Sequence, residues 1–144
     1  MPQILRIHDL NPQLYNELIE LWNQTGINNP ARSDSFDAIS HTLQHGGIIL
    51  CCHEDGRLCG SAWLTHDYRR LYIHHMAVLP SMQNTGIGNL LLQEALSIAS
   101  SLGYQAKLEV HEDNPAARHL YKKRGFRELN GYLVMINRNS GQKD

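Results

Sequence analysis

Gly86 and Gly88 stand two residues apart at the head of an apolar-periodic run, in the stretch SMQNTGIGNLLLQEAL, directly after the apolar segment LYIHHMAVLP. A strand that breaks into glycines and restarts as a helix aims several backbone N–H groups at one spot, with the helix dipole behind them. Such a spot binds anions. The glycines let the backbone come within contact distance of phosphate oxygens that a Cβ would hold away. The same turn also serves as a plain connection with no ligand. Spacing rules out two other phosphate loops: the G-K-[ST] ending is absent, and G-I-G-N does not complete G-x-G-x-x-G.

The other residues with reactive side chains say less. Cys51, Cys52 and Cys59 are odd in number and lack C-x-x-C pairing, so they indicate neither a disulfide framework nor a metal site. If HEDGRL is a hairpin closed by Asp55-Gly56, Cys52 and Cys59 fall opposite each other, which is compatible with a cross-strand disulfide. Reduced, buried thiols are the expectation for a cytosolic chain.

The elements that must position these residues are punctuated clearly. QILRIH reads as a first strand. Asn11 caps a helix with Pro12 in its first turn, an apolar face of Leu14, Leu18, Leu21 and Trp22, and a stop at Gly26. A second helix runs from about Asp34 through Phe36, Ile39 and Leu43 to Gly46-Gly47. GIILCCHEDGRLCGSAWLTHD gives two strands around Asp55-Gly56, and RLYIHHMAVL a longer one. From Ile87 the positions Leu91, Ala95, Ile98, Ala99 and Leu102 recur at helical spacing until Gly103. AKLEV is the next strand. NPAARHLYKKRG is a compact helix with Asn114 as cap, Pro115 at its first position and Gly125 beyond its last turn. GFRELNGYLVMINR closes the chain as two strands. This order predicts a mixed α/β (α+β) domain, a largely antiparallel sheet of about seven strands with helices on both faces.

Composition sets the bounds. The 144 residues, 42% hydrophobic and 19% charged, fit a single domain over residues 1–144 with one packed core. A formal net charge of −1 gives no general attraction to nucleic acid or to an anionic membrane, so neither is expected as a partner. MPQILRIHDLNPQ lacks the layout of a signal peptide, and no stretch approaches the roughly 18 uninterrupted apolar residues of a membrane helix. A cytoplasmic protein is expected.

MAVLPSMQNTGIGNLLL followed by LEVHEDNPAARHLYKKRGF resembles the acetyl-CoA-binding core of the GNAT N-acetyltransferase superfamily. The family pattern of a Val-x-Pro strand end, Q/R-x-x-G-x-G/A and N-x-x-A-x-x-x-Y-x-x-x-G-F is met at Val78, Pro80, Gln83, Gly86, Gly88, Asn114, Ala117, Tyr121, Gly125 and Phe126. The resemblance implies the GNAT fold, acetyl-CoA as co-substrate, and an acceptor pocket shaped by residues 1–45, which carry no matching motif.

It also implies roles at particular positions. The backbone of Met76, Ala77 and Val78, on a strand that splays from its neighbour, would hydrogen-bond the pantetheine arm as an added strand does. The amides of Asn84, Thr85, Gly86, Ile87, Gly88 and Asn89 would hold the pyrophosphate, next to Gln83. Asn114 would contact the cofactor near its thiol while capping its own helix, which carries Ala117. Tyr121 would return a proton to the leaving thiolate. For the acceptor's proton, Glu109 resembles the general base of the ribosomal-protein N-terminal acetyltransferases. The preceding strand offers no carboxylate, but it carries His74 and His75, expected on opposite faces of the sheet, and His74 is the second candidate. Gln83, Asn84 and Asn89 stand where basic residues are frequent, so a cation from Arg118, Lys122, Lys123 or Arg124 would meet the 3′-phosphate, unless these simply form a solvated helix face.

The expected reaction is acetyl transfer from acetyl-CoA to a primary amine, of a small molecule or a peptide, by direct attack in a ternary complex with no metal and no covalent enzyme intermediate. Arg32, Asp34 and Asp37 hint at a polar or charged acceptor. The alternative is a non-catalytic acyl-CoA sensor or scaffold. A homodimer through a sheet edge or the apolar GYLVMINR is compatible with the sequence.

Overall fold

The computed structural model describes residues 2–27 and 33–141. It divides into two compact units, residues 1–109 and 110–144.

The first unit is a five-stranded sheet in the order β1-β2-β3-β4-β5. Its strands are β1 (Ile4–Ile7), β2 (Ile48–Glu54), β3 (Arg57–His66), β4 (Arg70–Val78) and β5 (Gln105–Leu108). The first four pair antiparallel and β5 joins β4 in parallel. The β2–β3 turn is Asp55-Gly56 with φ of +52° and +77°. Positive values at both central residues suit the right-handed twist of the flanking strands. The register sets Cys52 opposite Gly60, with a bulge beside it. Cys59 is thus offset from Cys52, and its thiol donates to the Cys52 carbonyl at 3.2 Å. All three cysteines are buried free thiols.

Three helices cover the sheet: α1 (Pro12–Gln24), α2 (Phe36–Gln44) and α3 (Ile87–Leu102). Asn11 caps α1 by accepting from the Leu14 N–H, and Ser35 caps α2 by accepting from Ala38. Adjacent residues of β3 show that α1 and α3 lie on opposite faces. Buried Ser61 accepts the indole N–H of Trp22 at 3.0 Å, whereas a Cβ on Gly60 would meet Ile87 and Leu91. On the α1 side the core includes Leu18, Leu21, Trp22 and Ile39; on the other, Ile87, Leu91, Leu92 and Ala95. No described helix is long and apolar enough to cross a membrane.

The second unit holds α4 (Pro115–Lys123). The two closing strands expected from GFRELNGYLVMINR are absent among the described residues, so the sheet has five strands rather than about seven. Tyr132, Leu133, Val134, Met135 and Ile136 are all exposed. Strand preference is realised only against a partner edge, and this run of β-formers has none among the described residues.

Candidate active site

The glycine turn is built as its sequence demands. After β4, Pro80–Met82 forms a 3-10 turn, and Gln83 donates its side-chain N–H back to the Val78 carbonyl at 3.2 Å. Asn84 and Gly86 both have left-handed backbone, φ +64° and +93°. At Gly86 the torsion, rather than crowding, calls for glycine, since a Cβ there would meet nothing within 4 Å. Buried Ile87 pins the start of α3 to the sheet. The first helical bond runs from the Leu90 N–H to the Gly86 carbonyl, so the preceding amides take no part in the helix ladder. Gln83, Asn84, Thr85 and Gly86 are exposed, and this N-terminus carries no acidic residue in its first turn. The donor set and the open backbone fit a pyrophosphate.

β4 leads directly into that turn and opens on its outer edge. Its ladder with β5 covers only Arg70↔Gln105 through Ile73↔Leu108, yet the strand continues to Val78. On the other edge, Ser61 pairs with Ala77 and Trp63 with His74, so His75 and Met76 together oppose Ala62. This is a β-bulge, and its first residue, His75, has φ +50°. Met76, Ala77 and Val78 follow it.

The bulge overturns one expectation. His74 and His75 do not alternate, because both rings lie on the α1 side near Trp63, at 5.3 and 5.6 Å between centroids. The extra residue cancels the period of two. His74 sits 2.8 Å from the Thr65 hydroxyl. Burial, then the neighbouring His75, lowers its proton affinity below the usual histidine range, and Asp34 partly opposes this. His75 Nε2 lies 2.6 Å from Asp34 Oδ2, both side chains only 8% exposed. A carboxylate accepts only, so the ring donates. Sequence reasoning missed this pair, whose members are 41 positions apart. Arg32, singled out beside Asp34, lies outside the described residues. Glu109 is exposed, one residue beyond the end of β5.

In the second unit, Asn114 caps α4 by accepting from the Ala117 N–H at 3.2 Å. Tyr121 is the buried residue of that helix, edge-on to Phe126 at 5.8 Å, and burial raises its phenol above the usual range. Arg118 donates to the Glu112 carbonyl and to Glu128, while Lys122 lies 3.7 Å from the same carboxylate. Two of the four cations singled out for a phosphate are therefore already paired to Glu128.

A glycine-capped helix start thus follows directly on a bulged strand with an open edge. Residues 11–126 match the model of the Acetyltransferase (GNAT) family, and the chain belongs to that family. It is 31% identical over 86 residues to the N-acetyltransferase CgeE of Bacillus subtilis (strain 168), a match covering 56% of this chain and 33% of CgeE. The chain thus spans about a third of that relative. Among solved structures it is similar to the GNAT family protein SP0256 of Streptococcus pneumoniae TIGR4, at 24% identity and TM-score 0.73, covering 96% of this chain and 99% of that one. It is also similar in fold to AAC(6')-Iy in complex with the bisubstrate analog CoA-S-monomethyl-acetylneamine, at 18% identity and TM-score 0.75, covering 95% and 98%.

Proposed function

We propose that the chain is a single acetyltransferase domain that moves an acetyl group from acetyl-CoA to a primary amine of a small molecule or a peptide, by direct attack in a ternary complex in the cytoplasm. The observation that carries this reading is the continuity of the open β4 edge at Met76–Val78 with the Gly86-capped start of α3. A pantetheine arm needs backbone partners along an extended line, and a pyrophosphate needs converging N–H donors; here one follows the other in the chain.

Bound acetyl-CoA supplies an activated acyl carbon in a thioester. Met76, Ala77 and Val78 hold and orient the arm, and the amides from Asn84 to Asn89 hold the pyrophosphate, with Gln83 bracing the turn through Val78. As the amine nitrogen bonds the acyl carbon and the C–S bond breaks, Tyr121 returns a proton to the thiolate. A phenol whose proton affinity burial has raised is in its protonated form at neutral pH, as this role needs. Glu109 or His74 takes the proton lost by the amine. Exposure favours Glu109, since His74 is half-buried beside the Thr65 hydroxyl. Asn114, Ala117 and Arg124 complete the cofactor contacts proposed from the motif. The absence of basic side chains from Gln83 to Asn89 favours the second reading, a sensor that binds acyl-CoA without turnover.

Isothermal titration with acetyl-CoA and CoA tests both. Micromolar binding, lost on bulky replacement of Gly86 and Gly88, supports the site; no binding refutes it. Tyr121→Phe should then lower the chemical rate on an amine panel with binding nearly intact, and no turnover on any amine would favour the sensor. Glu109→Gln and His74→Ala, assayed across pH, separate the two bases by which one removes the limb that tracks amine deprotonation.

A further inference from the structure

We infer that Asp34 and His75 are positioning residues whose buried contact holds the β4 bulge in place, and with it the open edge that receives the acyl-CoA arm. The inference rests on the acyl-CoA reading above.

A histidine at φ +50° within a strand is in a region that L-residues avoid, and it stays there only when its surroundings over-determine it. Those surroundings are visible. The imidazole is clamped by the Asp34 carboxylate at 2.6 Å and lies edge-on to Trp22 at 4.7 Å. Asp34 is itself fixed from two helices. Its carbonyl accepts the Tyr15 hydroxyl of α1 at 3.0 Å, and the next residue, Ser35, caps α2. A carboxylate 8% exposed keeps its place only with a hydrogen-bonded partner, so the contact is costly to break from either side.

The bulge falls where the sheet opens. Two residues before it the ladder to β5 ends at Ile73, and after it come Met76, Ala77 and Val78. The His75 side chain is 8% exposed, held on the α1 side of the sheet. The side chain anchors on the helix side at the point in β4 just before Met76–Val78, the stretch unpaired with β5. If residue 75 returned to extended geometry, every residue after it would exchange faces, and the line of amides offered to the cofactor would be lost.

The test compares three variants in the full chain by titration with acetyl-CoA, with thermal melting in parallel. His75→Gln keeps an N–H donor within reach of Asp34. His75→Ala removes the donor and leaves the torsion disfavoured; His75→Gly removes the donor but tolerates the torsion. Relief of one strained residue corresponds to roughly a tenfold change in an equilibrium, so the alanine variant should bind about tenfold more weakly. The glutamine variant should bind within about threefold of the parent and the glycine variant in between, since glycine adopts positive φ without penalty. Lowered melting with unchanged affinity in all three would overturn the inference and leave the pair a plain structural contact. Should the alanine variant fail to fold, glycine weaker than glutamine supports the inference and equal affinities overturn it. If the parent chain itself does not bind acetyl-CoA, the functional reading falls and this inference with it.

Discussion

Gly60→Ala adds one methyl group where α3 meets the sheet. An ideal Cβ at this position would lie 2.8 Å from Ile87 Cγ2, 3.2 Å from Leu91 Cδ1 and 3.5 Å from the Ala77 carbonyl oxygen. Leu91 Cδ1 is the end of a flexible side chain, but Ile87 Cγ2 hangs directly on a Cβ whose rotamer a helix fixes almost uniquely. Ile87 is 1% exposed, so it has nowhere to retreat. The first residue of α3 must therefore move, and with it the glycine-capped turn. Overpacking of this kind costs about 1–3 kcal/mol. For a chain of this size that corresponds to a melting drop of roughly 3–10 °C. Urea unfolding measures the cost, and titration with acetyl-CoA reads the displacement of the turn as weaker binding. Ile87→Ala removes the clashing methyl, so in a double-mutant cycle the two substitutions together should cost less than the sum of each alone, by about 0.5–3 kcal/mol. Strict additivity, or a Gly60→Ala cost below about 0.5 kcal/mol, would refute the steric argument.

Other consequences are equally direct. Ser61→Ala strands the buried Trp22 indole N–H, which now donates to Ser61 at 3.0 Å, and should cost about 1–3 kcal/mol in urea unfolding; a neutral result would show that the indole finds another acceptor. His74 resists protonation in the fold, so the unfolded chain binds more protons as pH drops below 6.5; stability should be full above that value and decline below it, and His74→Gln should flatten the decline. If both proteins lose stability in parallel on acidification, His74 is not the cause. The Cys51 thiol is pushed up to about 12 by burial, so from 9.0 upward the unfolded chain loses its proton first and stability should fall with rising pH. The same burial of all three thiols should leave them unreactive toward Ellman's reagent until the chain unfolds, and rapid labelling of the native protein would contradict the observed packing.

Much of the frame was legible because its signals are local. Asn11, Asn114 and the glycines Gly26, Gly86, Gly103 and Gly125 mark helix ends through hydrogen bonds and torsions involving only nearby residues. Ser35, one residue beyond the predicted start at Asp34, caps α2, and Asp55-Gly56 sets the hairpin through its own backbone geometry. Gly86 announced the turn from β4 into α3 for the same reason. The closing strands misled because GYLVMINR has the composition of a strand, but a strand exists only when another edge accepts its hydrogen bonds.

The sequence by itself determined the order of helices and strands up to α4, the capped starts of α1 and α4, and the glycine turn that begins α3. Only the tertiary structure decided which histidine is held by a carboxylate and on which side of the sheet it lies. The physical reason is range. Caps and turns are settled within four residues, whereas the bulge at His75 arises from the register of β4 against β3, and its Asp34 partner arrives from the residue before the cap of α2. No pattern within LYIHHMAV records where an extra residue will be inserted, because the chain's neighbours impose it.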